Sequence, residues 1–288
     1  MTSIPFDALA CPLDHSPLMR SDGAWRCEHG HSFDIARQGY VHLLPVQKKR
    51  SLDPGDSKPM VAARRRFLEA GYYAGIAEAV SQRAMAALNP MITSGNTVPA
   101  VLDAGCGEGY YLRHLNAAAG ELPLSMIGVD ISKWAVLSAA KREKACCWVV
   151  GSNANLPVLP ASLDLILCLF GFPSYGEFAR VLKPGGRILQ VDAGADHLKE
   201  LREIIYPELK PPRERDSGAP EGFEERASST LRSTAVLGGQ YPIADLLAMT
   251  PHLYRGSAEG LERAATLSTL TVTVDVVIRE FERQLDRV

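Results

Sequence analysis

The sequence predicts an α/β protein built on a doubly wound, mainly parallel sheet, with a small separate module at its start. Three observations predict it. From residue 101 onward, short apolar runs alternate with helical patterns, the rhythm of βαβ units. The first of those runs ends in the turn Asp103-Ala-Gly105-Cys-Gly107-Glu-Gly109, which opens directly into a helical pattern. Residues 1–44 look different: short, polar, turn-rich segments with little helical period and two Cys/His pairs. A chain of 288 residues has room for one large α/β domain plus such a module.

The elements follow in order. Residues 1–44 form the module. Residues 45–94 are a basic, proline-bearing connector followed by helices, the first starting near Met60 and the second over residues 76–88. Residues 95–288 form the large domain. Its expected strands cover residues 101–103, 125–130, 147–151, 163–172 and 187–192, the fourth apolar enough to be buried on both faces. Helices are expected over 134–144, 176–182 and 197–206, and Lys183-Pro-Gly-Gly186 should stop the second of these. Residues 207–225, rich in proline and charge, read as an exposed loop, and the alternation over 270–278 as a late strand.

Composition excludes several classes. A net charge of -2 does not announce a nucleic-acid binder, so any basic surface must be local. No run of about 18 apolar residues is present, so no membrane partner is expected. The first residues lack the basic start and apolar core of a signal peptide, which makes a cytoplasmic location the expectation. Cys106, Cys146, Cys147 and Cys168 lie in apolar or turn contexts that suit buried thiols. The oligomeric state is not fixed by the sequence, and a homodimer stays open.

The glycine turn carries the most chemistry. Gly105, Gly107 and Gly109 let the backbone turn tightly and approach a ligand. A strand, a Gly-rich turn and a helix start together make a nucleotide-sized pocket. The spacing is not that of a dinucleotide fingerprint, whose third glycine falls one residue later. An acidic residue, Asp103, closes the strand, where a cationic sulfonium with an amino-acid tail would suit it. The stretch resembles the first motif of class I S-adenosylmethionine (SAM) methyltransferases, which have a Rossmann-like sheet. Asp130 ends the second strand about 20 residues on, where a carboxylate accepts from two ribose hydroxyls; it could equally cap the helix opening near Ser132. By the same resemblance, Asn153 or the backbone of Ala154 would meet the adenine amino group, and Cys106 and Glu108 complete the cofactor turn. Cys106 as a nucleophile is disfavoured, because His114 lies about two helical turns on and points away.

Cys11-Pro-Leu-Asp14 and Cys27-x-x-x-His31 have the layout of a small zinc site with Cys11, Asp14, Cys27 and His31 as ligands. His15 or His29 could replace Asp14, and a module that packs without metal is the alternative. A core-poor segment this short usually needs a staple, which favours the metal. Cys11-Pro-Leu, Cys27…His31-Ser-Phe-Asp, residues 39–50, Asp53-Pro-Gly-Asp-Ser57, residues 63–73 and residues 103–111 together resemble the RlmA-type 23S rRNA (guanine-N1)-methyltransferases. The likeness resumes near His197 and Tyr206 and covers most of the chain. It implies a zinc-ribbon-like RNA-recognition module, in which this chain has Asp14 at a family cysteine. It also implies that Tyr73 touches SAM and that His197 lies near the methionine end.

The basic runs Lys48-Lys49-Arg50 and Arg64-Arg65-Arg66, near Tyr40, Phe67 and Tyr72, suit phosphate contacts and base stacking. With the resemblance they imply that module and connector grip a 23S rRNA hairpin and present a loop guanine for methylation at N1. The turn Phe170-Gly-Phe-Pro-Ser174 is where such a sheet positions its target base, and it lacks the Asn/Asp-Pro-Pro-aromatic pattern of amino-group methyltransferases. No general base is visible in the sequence. Two other readings compete: a small-molecule SAM methyltransferase with an RNA-type N-terminus, and a non-catalytic RNA-binding or resistance-associated protein. The intact residues 103–109 and Asp130 argue against the second.

Overall fold

The structure is a computed structural model that describes residues 4–45, 51, 53–94, 97–209 and 218–285. Strands β1 (Met19–Ser21), β2 (Ala24–Arg26) and β3 (Ser32–Asp34) form a small antiparallel sheet. The next strand, β4 (Tyr40–His42), leaves it and pairs in parallel with a strand of the large sheet. Helices α1 (Lys58–Glu69) and α2 (Ala74–Ser94) follow. Then come β5 (Ala100–Ala104), α3 (Tyr110–Ala119), β6 (Ser125–Asp130), α4 (Lys133–Arg142), β7 (Cys147–Val150), β8 (Leu163–Leu169), α5 (Tyr175–Val181) and β9 (Leu182–Ala193). The chain ends with α6 (Lys199–Ile205), β10 (Phe223–Gly238), α7 (Gln240–Ala248), α8 (His252–Arg255), α9 (Ala258–Ala265) and β11 (Thr269–Arg283).

The large sheet has the order β10-β11-β9-β8-β5-β6-β7-β4, with β10 and β11 antiparallel to their neighbours. The direction of winding reverses between β5 and β8, which are paired through Asp103 and Leu167. A ligand crevice opens outside the strand ends at such a switch point. Every residue of β5 and β8 is buried, as strands covered on both faces require. One core packs Val101, Leu112, Val136, Trp148 and Leu167 beneath the helices that follow the connector and β5. The other joins Leu102, Ile166 and Phe178 to Leu9, Leu18 and Trp25. The N-terminal module is therefore docked on the large sheet twice, through this shared core and through β4.

Two expectations on residues 183–225 need correction. Helix α5 does end just before Lys183-Pro-Gly-Gly186, but β9 starts at Leu182 rather than Arg187, because Leu182 already pairs with Leu163 and the register then shifts by a bulge. Phe223, Glu224 and Glu225 belong to β10, not to an exposed loop. The 16-residue β10 escaped the sequence reading because it is an edge strand bonded only to β11. One of its faces meets water, so it reads as Ser, Thr and charge; charged residues along an edge also discourage pairing with other chains.

Candidate functional site

The site is built at the carboxyl ends of β5 and β6. Asp103 closes β5 and is only 1% exposed. Its Oδ2 is buried with no hydrogen-bond partner among the described residues. Burial, then the nearby Asp130 carboxylate, pushes its carboxyl up to about 8. A buried carboxyl with an unpartnered oxygen can receive a cationic group once it gives up its proton. The turn beyond it is stitched to β6: the Gly105 and Cys106 amides both donate to the Val129 carbonyl, at 2.8 and 3.1 Å. Asp130 then accepts from the Gly107 amide (2.9 Å) through Oδ2 and from the Ser132 amide (2.7 Å) through Oδ1. Asp130 thus orders the start of α4 and ties it to the glycine turn. Ser132 is the actual N-cap, its Oγ accepting from the Ala135 amide at 3.2 Å.

Two further candidate residues pair with each other. Tyr73 and His197 are buried, and the Tyr73 hydroxyl meets His197 Nε2 at 3.0 Å. The Asp275 amide donates to His197 Nδ1 at 3.2 Å, so the proton of the neutral ring sits on Nε2. Burial holds the imidazole neutral, pulling it down to about 4. His197 therefore donates to Tyr73, and the Tyr73 O–H is left free to donate to a ligand. Phe170 stacks against Tyr73 with ring centroids 6.0 Å apart, in a left-handed backbone conformation at φ 54°. Asn153 lies on the turn after β7, and its Nδ2 donates to the Phe172 carbonyl at 3.4 Å. Ala154, beside it, has its amide bonded to Ser152 Oγ at 3.2 Å.

A second cluster lies in the module. The ligand atoms of Cys11, Asp14, Cys27 and His31 all fall within 4.8 Å of one another. His31 Nδ1 is 3.4 Å from Cys11 Sγ, 3.3 Å from Cys27 Sγ and 2.9 Å from Asp14 Oδ2. Tetrahedral zinc with ordinary bond lengths would set sulfur–nitrogen separations of about 3.6 Å and nitrogen–oxygen separations of about 3.3 Å. The cluster is thus the size of a zinc centre. Ser16 donates to Asp14 Oδ1 through its amide (3.0 Å) and its hydroxyl (2.5 Å), which aims Oδ2 at the cluster and holds the carboxyl well below its usual range. His29 Nδ1 also reaches Asp14 Oδ2, at 3.1 Å, whereas His15 is not in the cluster.

Comparison with known proteins matches this two-part build. A family model described as RlmA, N-terminal, covers residues 9–52, and one described as methyltransferase domain covers residues 101–186. A protein of Bacillus subtilis, provisionally named a 23S rRNA (guanine-N1)-methyltransferase, is 31% identical over 96% of this chain and 97% of its own length. The 23S rRNA (guanine(748)-N1)-methyltransferase of Streptomyces fradiae is 34% identical over 88% of this chain and 89% of its own. The chain belongs to the 23S rRNA (guanine-N1)-methyltransferase family. Among solved structures, the YcgJ protein from Bacillus subtilis is similar at 22% identity and a TM-score of 0.40, covering 69% of this chain and 99% of that one.

As a member of this family the protein is a SAM-dependent methyltransferase with a zinc ribbon, and rRNA is its class of substrate. No helix among the described residues is long and apolar enough to cross a membrane. The structure redistributes several site residues of this rRNA methyltransferase. Glu108 is buried, and its Oε2 pairs with Arg113 (3.1 Å) and Arg142 (3.6 Å). The Cys106 thiol is buried and pushed well above its ordinary range by that burial, so it is no nucleophile. His114 packs on Tyr110, with ring centroids 4.4 Å apart.

The arginine run does not form one basic face, because consecutive residues of a helix point about 100° apart. Arg64 pairs with Asp56, donates to the Met249 carbonyl (3.1 Å) and lies over Gly107. Arg66 is held by both oxygens of Asp245, at 2.9 and 2.5 Å. Arg65 is exposed and has no ion pair among the described residues. Lys48, Lys49 and Arg50 lie outside the described residues. Sequence reasoning also missed the connector as a wall of the site. The Asp56 carbonyl accepts from Ser132 Oγ (2.6 Å), and Asp53 accepts from Trp134 Nε1 (2.6 Å). Gly55, at φ +83°, presses so closely on this turn that a Cβ would lie 2.9 Å from Ile131 and Ser132 side-chain atoms. The run Asp53-Pro-Gly-Asp was the available signal.

The buried Asp103 gives a pH dependence. Without ligand it holds a proton to about pH 8, and a cationic ligand needs it ionised. SAM affinity should therefore rise as pH increases from 6 to 8, by up to roughly tenfold per unit, with a proton released on binding. Calorimetry in buffers of different ionisation enthalpy reads that proton, and Asp103→Asn should abolish both the slope and the release.

Proposed function

We propose that this enzyme methylates N1 of a guanine in a hairpin loop of 23S rRNA, with the work done in the cytoplasm where ribosomes are made. The observation that supports this best is the near full-length match to rRNA guanine-N1 methyltransferases, with both zinc cluster and glycine-turn site in place. In this reading Asp103 faces the cationic methionine end of SAM, and the freed Tyr73 O–H reaches the methionine carboxylate, fixed by His197. Asp130 keeps lone pairs for the ribose hydroxyls beyond its two backbone bonds. Gly105, Gly107 and Gly109 form the floor, Cys106 packs beneath it, and Asn153 with Ala154 borders the adenine. SAM, when bound, supplies a methyl group on a cationic sulfur.

The target base enters at the turn after β8. Phe172 on this turn is 89% exposed, an apolar ring that packing among the described residues does not explain. A loop guanine splayed out of its stack finds a stacking partner there. Phe172→Ala should lower the methylation rate at subsaturating rRNA by roughly 10- to 100-fold while SAM affinity stays within threefold, since base–aromatic stacking contributes about 1–3 kcal/mol. Steady-state kinetics beside calorimetry separates the two. The hairpin itself is tested with short transcripts: one stem-loop of 23S rRNA should be methylated at a rate within tenfold of deproteinised 23S rRNA. Methylation that needs the intact rRNA and spares every stem-loop would contradict this reading.

A further inference from the structure

Beside the target-base turn, β9 carries polar residues where a strand core should be apolar. Gln190 and Asp192 point to the same face of β9, toward α5. Gln190 is only 4% exposed. The Tyr175 hydroxyl, at the start of α5, donates to Gln190 Oε1 at 2.8 Å. Gln190 Nε2 donates to Asp192 Oδ2 at 2.9 Å, and Arg279 Nη2, from β11, donates to the same oxygen at 3.0 Å. Asp192 Oδ1 accepts from none of the described residues. Among the described residues Arg279 directs only that one N–H to an oxygen, and its buried Nε–H has no acceptor. All four residues line an open cavity of about 1030 Å³ that continues to Pro220. The Phe170 amide donates to the Val191 carbonyl at 2.8 Å, so the base-positioning turn is bonded to the residue before Asp192.

A buried polar chain of this kind is costly unless something uses it. Its exposed end is a carboxylate oxygen beside a guanidinium. Guanine presents N1–H and N2–H donors next to the O6 acceptor, the complement of that pair; adenine presents an acceptor at N1 and does not fit. We infer that this cavity is the guanine pocket and that Asp192 is the catalytic residue that takes the N1 proton. Arg279 holds the Asp192 carboxylate in place and faces O6, and Gln190 and Tyr175 are positioning residues. The proton passes from N1 to Asp192 Oδ1, and the electron pair left on N1 forms the new bond to the methyl carbon. The pair of the broken carbon–sulfur bond leaves with sulfur, which becomes a neutral thioether. This rests on the guanine-N1 reading above.

The test compares wild type, Asp192→Asn and Asp192→Glu as full-length protein in single-turnover methylation of deproteinised 23S rRNA, with SAM affinity measured by calorimetry on the same samples. Asp192→Asn should cut the rate by at least about 100-fold with SAM affinity within threefold, the range of general-base loss. Its residual rate should climb tenfold per pH unit over roughly pH 6 to 8, because ionisation of N1 must then come from solvent, while the wild-type rate stays nearly flat. Asp192→Glu should recover part of the rate and the flat profile. An Asp192→Asn rate within threefold of wild type, an unchanged pH profile, or a parallel loss of SAM affinity overturns the assignment. A wild-type enzyme that methylates rRNA elsewhere than guanine N1 instead overturns the reading on which it rests.

Discussion

Gly109→Ala should lower the unfolding free energy by about 2–4 kcal/mol and abolish SAM binding with it. Gly109 is the N-cap of α3 and sits at φ +80°, in the left-handed region. A side chain there adds roughly 1–2 kcal/mol of backbone strain. Space makes the larger demand. A Cβ would lie 2.5 Å from Trp148 Cη2 and 3.1 Å from Ala139 Cβ. Trp148 is 1% exposed and its Nε1 is tied to the Glu143 carbonyl at 2.8 Å, so it cannot swing aside. The same indole lies over Gly128, where a Cβ would come within 2.4 Å. α3 must therefore lift away from β7, and the glycine turn moves with it. Thermal unfolding should show a drop of roughly 5–15 °C, and calorimetry no SAM binding. A drop equivalent to less than about 1 kcal/mol with SAM binding intact would mean that the turn tolerates a side chain.

Removing zinc should cost rRNA methylation at least about 100-fold while SAM affinity stays within threefold. The four candidate ligands hold together a segment with three-residue strands and few core residues of its own. The cofactor turn is bonded to β6 and, among the described residues, shares no hydrogen bond with that cluster. β4 should remain paired with β7 when the metal leaves, so the large sheet keeps its edge. Cys27→Ser should reproduce the effect of a chelator. Asp14→Cys should bind zinc more tightly, because thiolate is the softer ligand. Metal analysis, SAM calorimetry and methylation kinetics on one preparation check all three. Full methylation by metal-free protein would remove the cluster from any role with rRNA.

The parts legible in the sequence are those whose chemistry is local. Asp103, the three glycines and Asp130 fall at fixed spacings along one βαβ unit, so spacing alone places them together. The four candidate zinc ligands are legible for the same reason, as two short pairs. Groups brought together across the sheet were not. Arg64 reads as one of three basic residues until α1 turns it onto Gly107. Asp192 and Arg279 are far apart in sequence and meet only because β11 pairs antiparallel with β9. The helices after β10 carried no motif, and β10 itself is an edge strand whose polar side chains hide its pairing.

One measurement bears on the central claim most directly. Deproteinised 23S rRNA is incubated with the purified full-length enzyme and labelled SAM, digested to nucleosides for mass analysis, and mapped by reverse transcription. A methyl group on N1 removes the proton that guanine uses to pair with cytosine, so it stops reverse transcriptase. The expected result is N1-methylguanosine as the labelled product, with one strong stop in a hairpin loop that disappears when SAM is omitted. Label in another nucleoside, or no label while SAM binds normally, would contradict the account.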